Sequence, residues 1–114
     1  MVTITNAAMK KRAFLAEMYA DPYFPAVLVD KCKAVMVTLC EQIESQKPKD
    51  TTSLFKLTHA AVDAINQLEA EFEENDSELE TGAREALADD FGAILEAYGF
   101  ADADLEEAIS NRDW

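Results

Sequence analysis

Residues 52–74 read TSLFKLTHAAVDAINQLEAEFEE, and the spacing of their apolar side chains decides the fold. Leu54, Thr58, Ala61, Ile65, Leu68 and Phe72 recur at intervals of 4-3-4-3-4. That spacing puts them on one stripe of a helix and suits packing against further helices. Asp50, Thr51 and Thr52 all offer N-caps to its first turn.

The same period extends on both sides. Upstream, residues 25–46 carry Leu28, Cys32, Val35, Met36, Leu39, Cys40 and Ile43 on one wide stripe, with Pro25 near the first helical position, where a missing N–H costs nothing. Downstream, residues 78–98 carry Leu79, Ala83, Leu87, Phe91, Ile94, Leu95 and Tyr98. Ser77 with Glu80 has the spacing of a capping box, Glu80 and Arg84 form a favourable i, i+4 pair, and Gly99 suits the left-handed closing position. Gly92 inside that helix is either a propensity cost or room for a close crossing. A first helix is expected over residues 6–20, capped by Asn6 and burying Ala7, Phe14, Leu15 and Met18, with Asp21-Pro22 as its stop. A short last helix over residues 103–110 follows Asp102 and buries Leu105 and Ile109.

No segment sustains a strand-like alternation. The expected fold is all-α: an antiparallel bundle of four main helices plus a short C-terminal helix, in one domain spanning residues 1–114. A chain of 114 residues folded this way has a radius of gyration of about 13 Å.

Charge narrows the function. The net charge is −13, and it is segregated. Residues 1–62 carry eight basic and six acidic side chains, whereas residues 63–114 carry two basic and seventeen acidic ones. A nucleic acid or an anionic membrane surface attracts Lys and Arg, so neither is an expected partner. A basic protein is compatible in sign, as is self-association, and either a monomer or a homodimer is in keeping with the composition. Cys32 and Cys40 lie eight residues apart on one helix, about 12 Å at 1.5 Å per residue. A disulfide tolerates about 7 Å between Cα atoms, so the two remain thiols, as a reducing cytoplasm allows. The N-terminus has no secretory pattern, and no apolar run approaches the roughly 20 residues of a membrane span.

With one histidine, His59, few chemistries are open. Position 56 is Lys, so no Glu-x-x-His pair exists for a di-metal carboxylate site. His59 with Cys32 and Cys40 lacks the close ligand spacing of a zinc site. His59 and Asp63, at i, i+4, can share a hydrogen bond or a metal; the plainer alternative is a half-buried edge residue beside Phe55 and Val62. No cofactor and no resident metal are expected. The alternative enzymatic reading is a magnesium- or manganese-dependent hydrolase of a small phosphorylated compound, as in all-α nucleotide pyrophosphohydrolases. Its ligands would come from Glu73, Glu74, Glu85 and Asp89, with Asp90 adjacent. Against it, the spacing is Glu-x-x-x-Asp rather than Glu-x-x-Asp, and Arg84 is the only nearby cation for phosphate.

Tyr23, Phe24, Arg112 and Trp114, together with His59, form the candidate binding surface, because aromatic and Arg side chains anchor interfaces. The structural alternative is that Phe24 and Trp114 plug the ends of the bundle.

Several short stretches also carry a resemblance: Asp21-Pro22-Tyr23-Phe24-Pro25, Leu28-Val29-Asp30-Lys31, Leu57-Thr58-His59-Ala60, Ala97-Tyr98-Gly99-Phe100 and Arg112-Asp113-Trp114. In this order, from about residue 13 to the end, the chain resembles a small uncharacterised family of bacterial proteins, a domain of unknown function. The resemblance implies a bacterial source and no known activity, so no catalytic residue is carried over. The reading best supported by sequence is a non-enzymatic cytoplasmic protein that binds a basic partner or itself, in the manner of an inhibitor or immunity protein.

Overall fold

The computed structural model describes residues 4–114. Every regular element among them is helical: α1 (Ala7–Lys11), α2 (Ala16–Ala20), α3 (Ala26–Gln46), α4 (Thr51–Glu74), α5 (Thr81–Ala97) and α6 (Leu105–Ala108). The radius of gyration is 13.5 Å. The long helices α3 and α4 form the most extensive contact, α2 and α1 pack on α5, and α6 bridges α4 and α5. No helix among the described residues is long and apolar enough to cross a membrane.

The apolar stripes face inward as their spacing requires. All six stripe residues of α4 are buried, joined by Val62. In α3 Leu28, Cys32, Met36, Leu39, Cys40 and Ile43 are buried, while Val35 is only half-buried and Val29 is buried as well. In α5 Ala83, Leu87, Phe91, Ile94 and Leu95 are buried and Tyr98 is half-buried. Cys32 and Cys40 are both free and buried, and loss of solvation pushes their thiols up to about 12 and about 11, so neither is a ready nucleophile.

The expected first helix is broken. Residues 12–15 leave the helical path and Leu15 adopts a left-handed conformation, φ 56°. The cause lies in α5, where Asp90 is 2% exposed. Its carboxylate accepts from Arg12 Nε at 2.8 Å and from the Leu15 backbone N–H at 2.9 Å, while Arg12 Nη2 lies 2.8 Å from Oδ1. Because of this break Met9 is buried together with Phe14, Leu15 and Met18, and Ala7 is left exposed.

The start of α5 also departs from expectation. The Ser77 N–H donates to the Phe72 carbonyl at 2.8 Å and its hydroxyl donates to the Tyr23 carbonyl at 2.9 Å. The N–H is therefore not available to the Glu80 carboxylate, and residues 77–80 are not helical, so no capping box forms. With Asp76 at φ 58° and its N–H on the Glu73 carbonyl, Ser77 instead completes a Schellman closure of α4. Helix α5 then begins at Thr81, with the Glu80 carboxylate accepting from Gly82 N–H at 3.1 Å rather than pairing with Arg84. Gly99 closes α5 as expected, at φ 86°, with Phe100 N–H on the Leu95 carbonyl at 2.8 Å. A Cβ on Gly92 would meet Leu105 at 3.6 Å, ordinary contact rather than a crossing that demands glycine. The last helix is capped by Asp104, not Asp102, and Pro25 is the N-cap of α3 rather than its first residue.

Candidate functional site

Three of the five candidate residues belong to one assembly, a clasp by which α4 holds the C-terminal segment. Thr58, His59, Asp63 and Asn66 follow one another along one side of α4, and each engages that segment. The Thr58 hydroxyl donates to the Ala108 carbonyl at 2.9 Å. His59 Nε2 lies 2.9 Å from the Glu107 carbonyl; a carbonyl has no proton to give, so the nitrogen is the donor and the tautomer is fixed. Asn111 Nδ2 donates both to the His59 carbonyl, at 2.9 Å, and to the Asp63 carboxylate, at 2.8 Å. Asn66 closes the series, donating to the Asn111 carbonyl at 3.0 Å and accepting from Asp113 N–H at 2.9 Å. The His59 ring lies 6.1 Å from that of Phe55. Asn111 thus joins the His59 backbone carbonyl to the Asp63 carboxylate, while the His59 ring itself turns to the Glu107 carbonyl.

The clasp delivers Trp114 to the bundle. Its indole is 7% exposed and stacks on Phe91 with centroids 6.4 Å apart and planes at 15°. The Arg112 guanidinium carbon sits 5.9 Å from the indole centroid, within the range of a cation–π contact, and Arg112 also meets Glu106 at 3.4 Å. At the α2–α3 turn the other two candidates part company. Phe24 is buried edge-to-face against Phe72 at 6.5 Å, so it plugs the core. Tyr23 remains outside, 44% exposed, with Tyr19 and Val27 as exposed neighbours in sequence.

Beside Trp114 lies a polar cavity of about 220 Å³. Glu69 and Glu73 from α4, Glu78 and Leu79 from the α4–α5 connection, Arg84 from α5, and Asp113 with Trp114 from the tail form its wall. Two wall atoms are buried without a hydrogen-bond partner among the described residues: Glu69 Oε1 and Trp114 Nε1. Burial, with Asp113 and Glu73 adding to it and Arg84 opposing, holds the Glu69 carboxyl above the ordinary carboxylate range.

Of the four carboxylates considered for a metal, only Glu73 reaches this cavity. Glu73, Glu74, Glu85 and Asp89 are all exposed, and the structure does not gather them. Among the described residues no group of three or more His, Cys, Asp or Glu side chains has an arrangement able to hold a metal ion. Asp90, adjacent to them in sequence, is committed to Arg12 and Leu15. The residues that sequence reasoning missed are Glu69, Glu78 and Asp113 in the cavity wall, and Asn66 and Asn111 in the clasp. Asn66 extends the polar series of His59 and Asp63 by one further turn, and that was the available signal.

Comparison with known proteins adds one finding. The model of a family described as "Family of unknown function (DUF5713)" matches residues 8–114. No curated protein and no solved structure matches the chain.

Proposed function

The chain belongs to the DUF5713 family of unknown function, and from that premise we propose that it is a non-enzymatic protein-binding module of the bacterial cytoplasm whose acidic C-terminal half contacts a basic partner. The observation that carries this reading is the display of charge. Of the seventeen acidic residues in positions 63–114, Asp90 alone is buried, and among the described residues three of them meet a cation, in the pairs Arg12–Asp90, Lys31–Glu71 and Arg112–Glu106. The rest form a largely uncompensated negative surface. Such a field speeds encounter with a positive protein and penalises nucleic acid and other acidic surfaces.

The fates of the reactive side chains support a binding role. His59 is spent on holding the tail, and both thiols are buried with their ionisation suppressed. Buried unpaired thiols also suit a reducing compartment. Inhibition of a cationic toxin or nuclease is one form such binding takes, with charge opposition setting a fast association rate.

The test is affinity capture on the immobilised chain, with bound proteins identified and purified candidates re-bound at increasing salt. The expected partner is basic and its association rate falls steeply between low and high ionic strength. Partners whose binding ignores salt would count against the reading.

A further inference from the structure

Among the described residues three large apolar side chains are left exposed: Tyr19 at 39%, Tyr23 at 44% and Val27 at 63%. Scattered singly such residues are ordinary, but all three fall within residues 19–27, across the α2–α3 turn. Local packing accounts for their position. Phe24 takes the core place against Phe72, which leaves Tyr23 outside, edge-to-face on Phe24 with centroids 5.2 Å apart. Val27 lies in the first turn of α3, and Asp30, one turn further on, accepts the Tyr19 hydroxyl. That bond restrains the Tyr19 ring, which lowers the entropy lost when another surface packs on it.

The patch abuts a strongly negative stretch of chain. Seven of the twelve residues 69–80 are acidic and none is basic. Three contacts bring that stretch to the turn: the Ser77 hydroxyl on the Tyr23 carbonyl at 2.9 Å, Phe24 on Phe72, and the Lys31–Glu71 ion pair. Asp21 and Asp30 add carboxylates from the patch's own side. Lys31 is the one cation between Arg12 and Lys33, and it is already paired. An acidic protein or a nucleic acid is repelled from such a rim. A second copy of the chain, pairing patch to patch, would set Asp21, Asp30 and Asp76 against their own counterparts. A basic protein meets both features, its apolar side chains covering the patch and its Lys and Arg facing the rim.

We infer that Tyr19, Tyr23 and Val27 are the apolar anchor of the contact with a basic protein, whose cationic side chains lie over residues 69–80. The assignment rests on the binding reading above and gives it a place on the molecule. Aromatic side chains at the centre of a charged rim are where interfaces concentrate their energy. The isotopically labelled full chain is titrated with the blocked peptide acetyl-Lys-Leu-Lys-Leu-Lys-Leu-Lys-amide, followed by amide chemical shifts. The same peptide with Ser for Leu, and with Glu for Lys, serves as control. The expected result is saturable, salt-weakened binding of the Lys-Leu peptide, with shifts concentrated in residues 19–31 and 73–78. The double substitution Tyr23→Ser with Val27→Ser weakens it about tenfold, and Asp76→Asn about twofold. All three side chains are exposed, and circular dichroism verifies that the variants keep the fold.

Equal binding of the Ser-containing peptide overturns the anchor, because charge alone then suffices. Equal binding of the Glu-containing peptide overturns the choice of a basic occupant. Shifts that avoid residues 19–31, or a double variant that binds undiminished, overturn the patch itself. A wild-type dimer that the double variant converts to monomer in sedimentation makes a second copy the occupant and overturns the basic one. If a basic protein is captured in a salt-dependent way and binds the double variant as tightly as the wild type, the patch is wrong while the broader binding reading stands.

Discussion

Asp90 accepts the backbone N–H of Leu15 at 2.9 Å, across 75 residues of sequence. The same carboxylate holds Arg12, so a single buried side chain stabilises the break between α1 and α2 and the left-handed turn at Leu15. Removing Arg12 and altering Asp90 should therefore have unequal effects. Arg12→Met leaves a buried carboxylate with only the Leu15 N–H, whereas Asp90→Asn removes the charge and keeps an acceptor for that N–H. Urea unfolding at pH 7 is expected to show Arg12→Met losing about 2 kcal/mol and Asp90→Asn about half as much. Equal losses would contradict the assignment.

A pH dependence follows from the same site. Burial holds the Asp90 carboxyl above the ordinary range despite Arg12. A folded-state pKa above the unfolded one means the folded chain takes the proton first, so acidification through that interval is stabilising. Arg12→Met widens the interval, and the variant should recover part of its deficit as pH is lowered through it.

Glu44 behaves in the opposite sense. Desolvation opposes its ionisation, but the Tyr98 hydroxyl, the Thr5 and Asn6 backbone N–H groups and the Thr5 hydroxyl all donate to it, pulling its carboxyl from 4.5 down to about 2. Its contribution is present above pH 4.5 and is lost as pH falls toward 2. Glu44→Gln should flatten the acid limb of the stability profile over that window. It should also speed amide exchange at Thr5 and Asn6.

The clasp predicts a local opening distinct from global unfolding. Asn111→Ala removes the side chain that joins the His59 carbonyl to Asp63, at a cost of about 1–2 kcal/mol. The tail should loosen first, so acrylamide quenching of Trp114 should rise well below the unfolding midpoint. Quenching unchanged until the whole chain unfolds would show that the tail is held by other contacts.

Trp114 itself is a core side chain. Trp114→Ala should cost about 3–5 kcal/mol, as deletion of a buried aromatic does, and Trp114→Phe considerably less because stacking on Phe91 survives. Both are measured by chemical denaturation followed by circular dichroism.

The helices themselves were legible because each buries a stripe whose 3.6-residue period is local. The six positions from Leu54 to Phe72 all proved buried. What escaped reading was decided by distant residues. The break before Leu15 depends on Asp90. The capping box fails because Ser77 spends its N–H on closing α4 at the Phe72 carbonyl, and the chain turns helical only at Thr81. Trp114 and His59 were each recognisable as candidates, but their common role was not, since Asn111 and Asn66 join them through hydrogen bonds spanning 45 residues or more. The cavity was hidden for the same reason, its wall being assembled from four separate stretches of chain.

Among the described residues two of the three ion pairs, Arg12–Asp90 and Lys31–Glu71, tie the slightly basic first half to the acidic second half. A nick in the connection 47–50 between α3 and α4 would leave one nearly neutral fragment and one heavily negative one. Both of those pairs would then act across the cut, so the two pieces are expected to rejoin by burying their shared helix faces, and to hold together less firmly in brine.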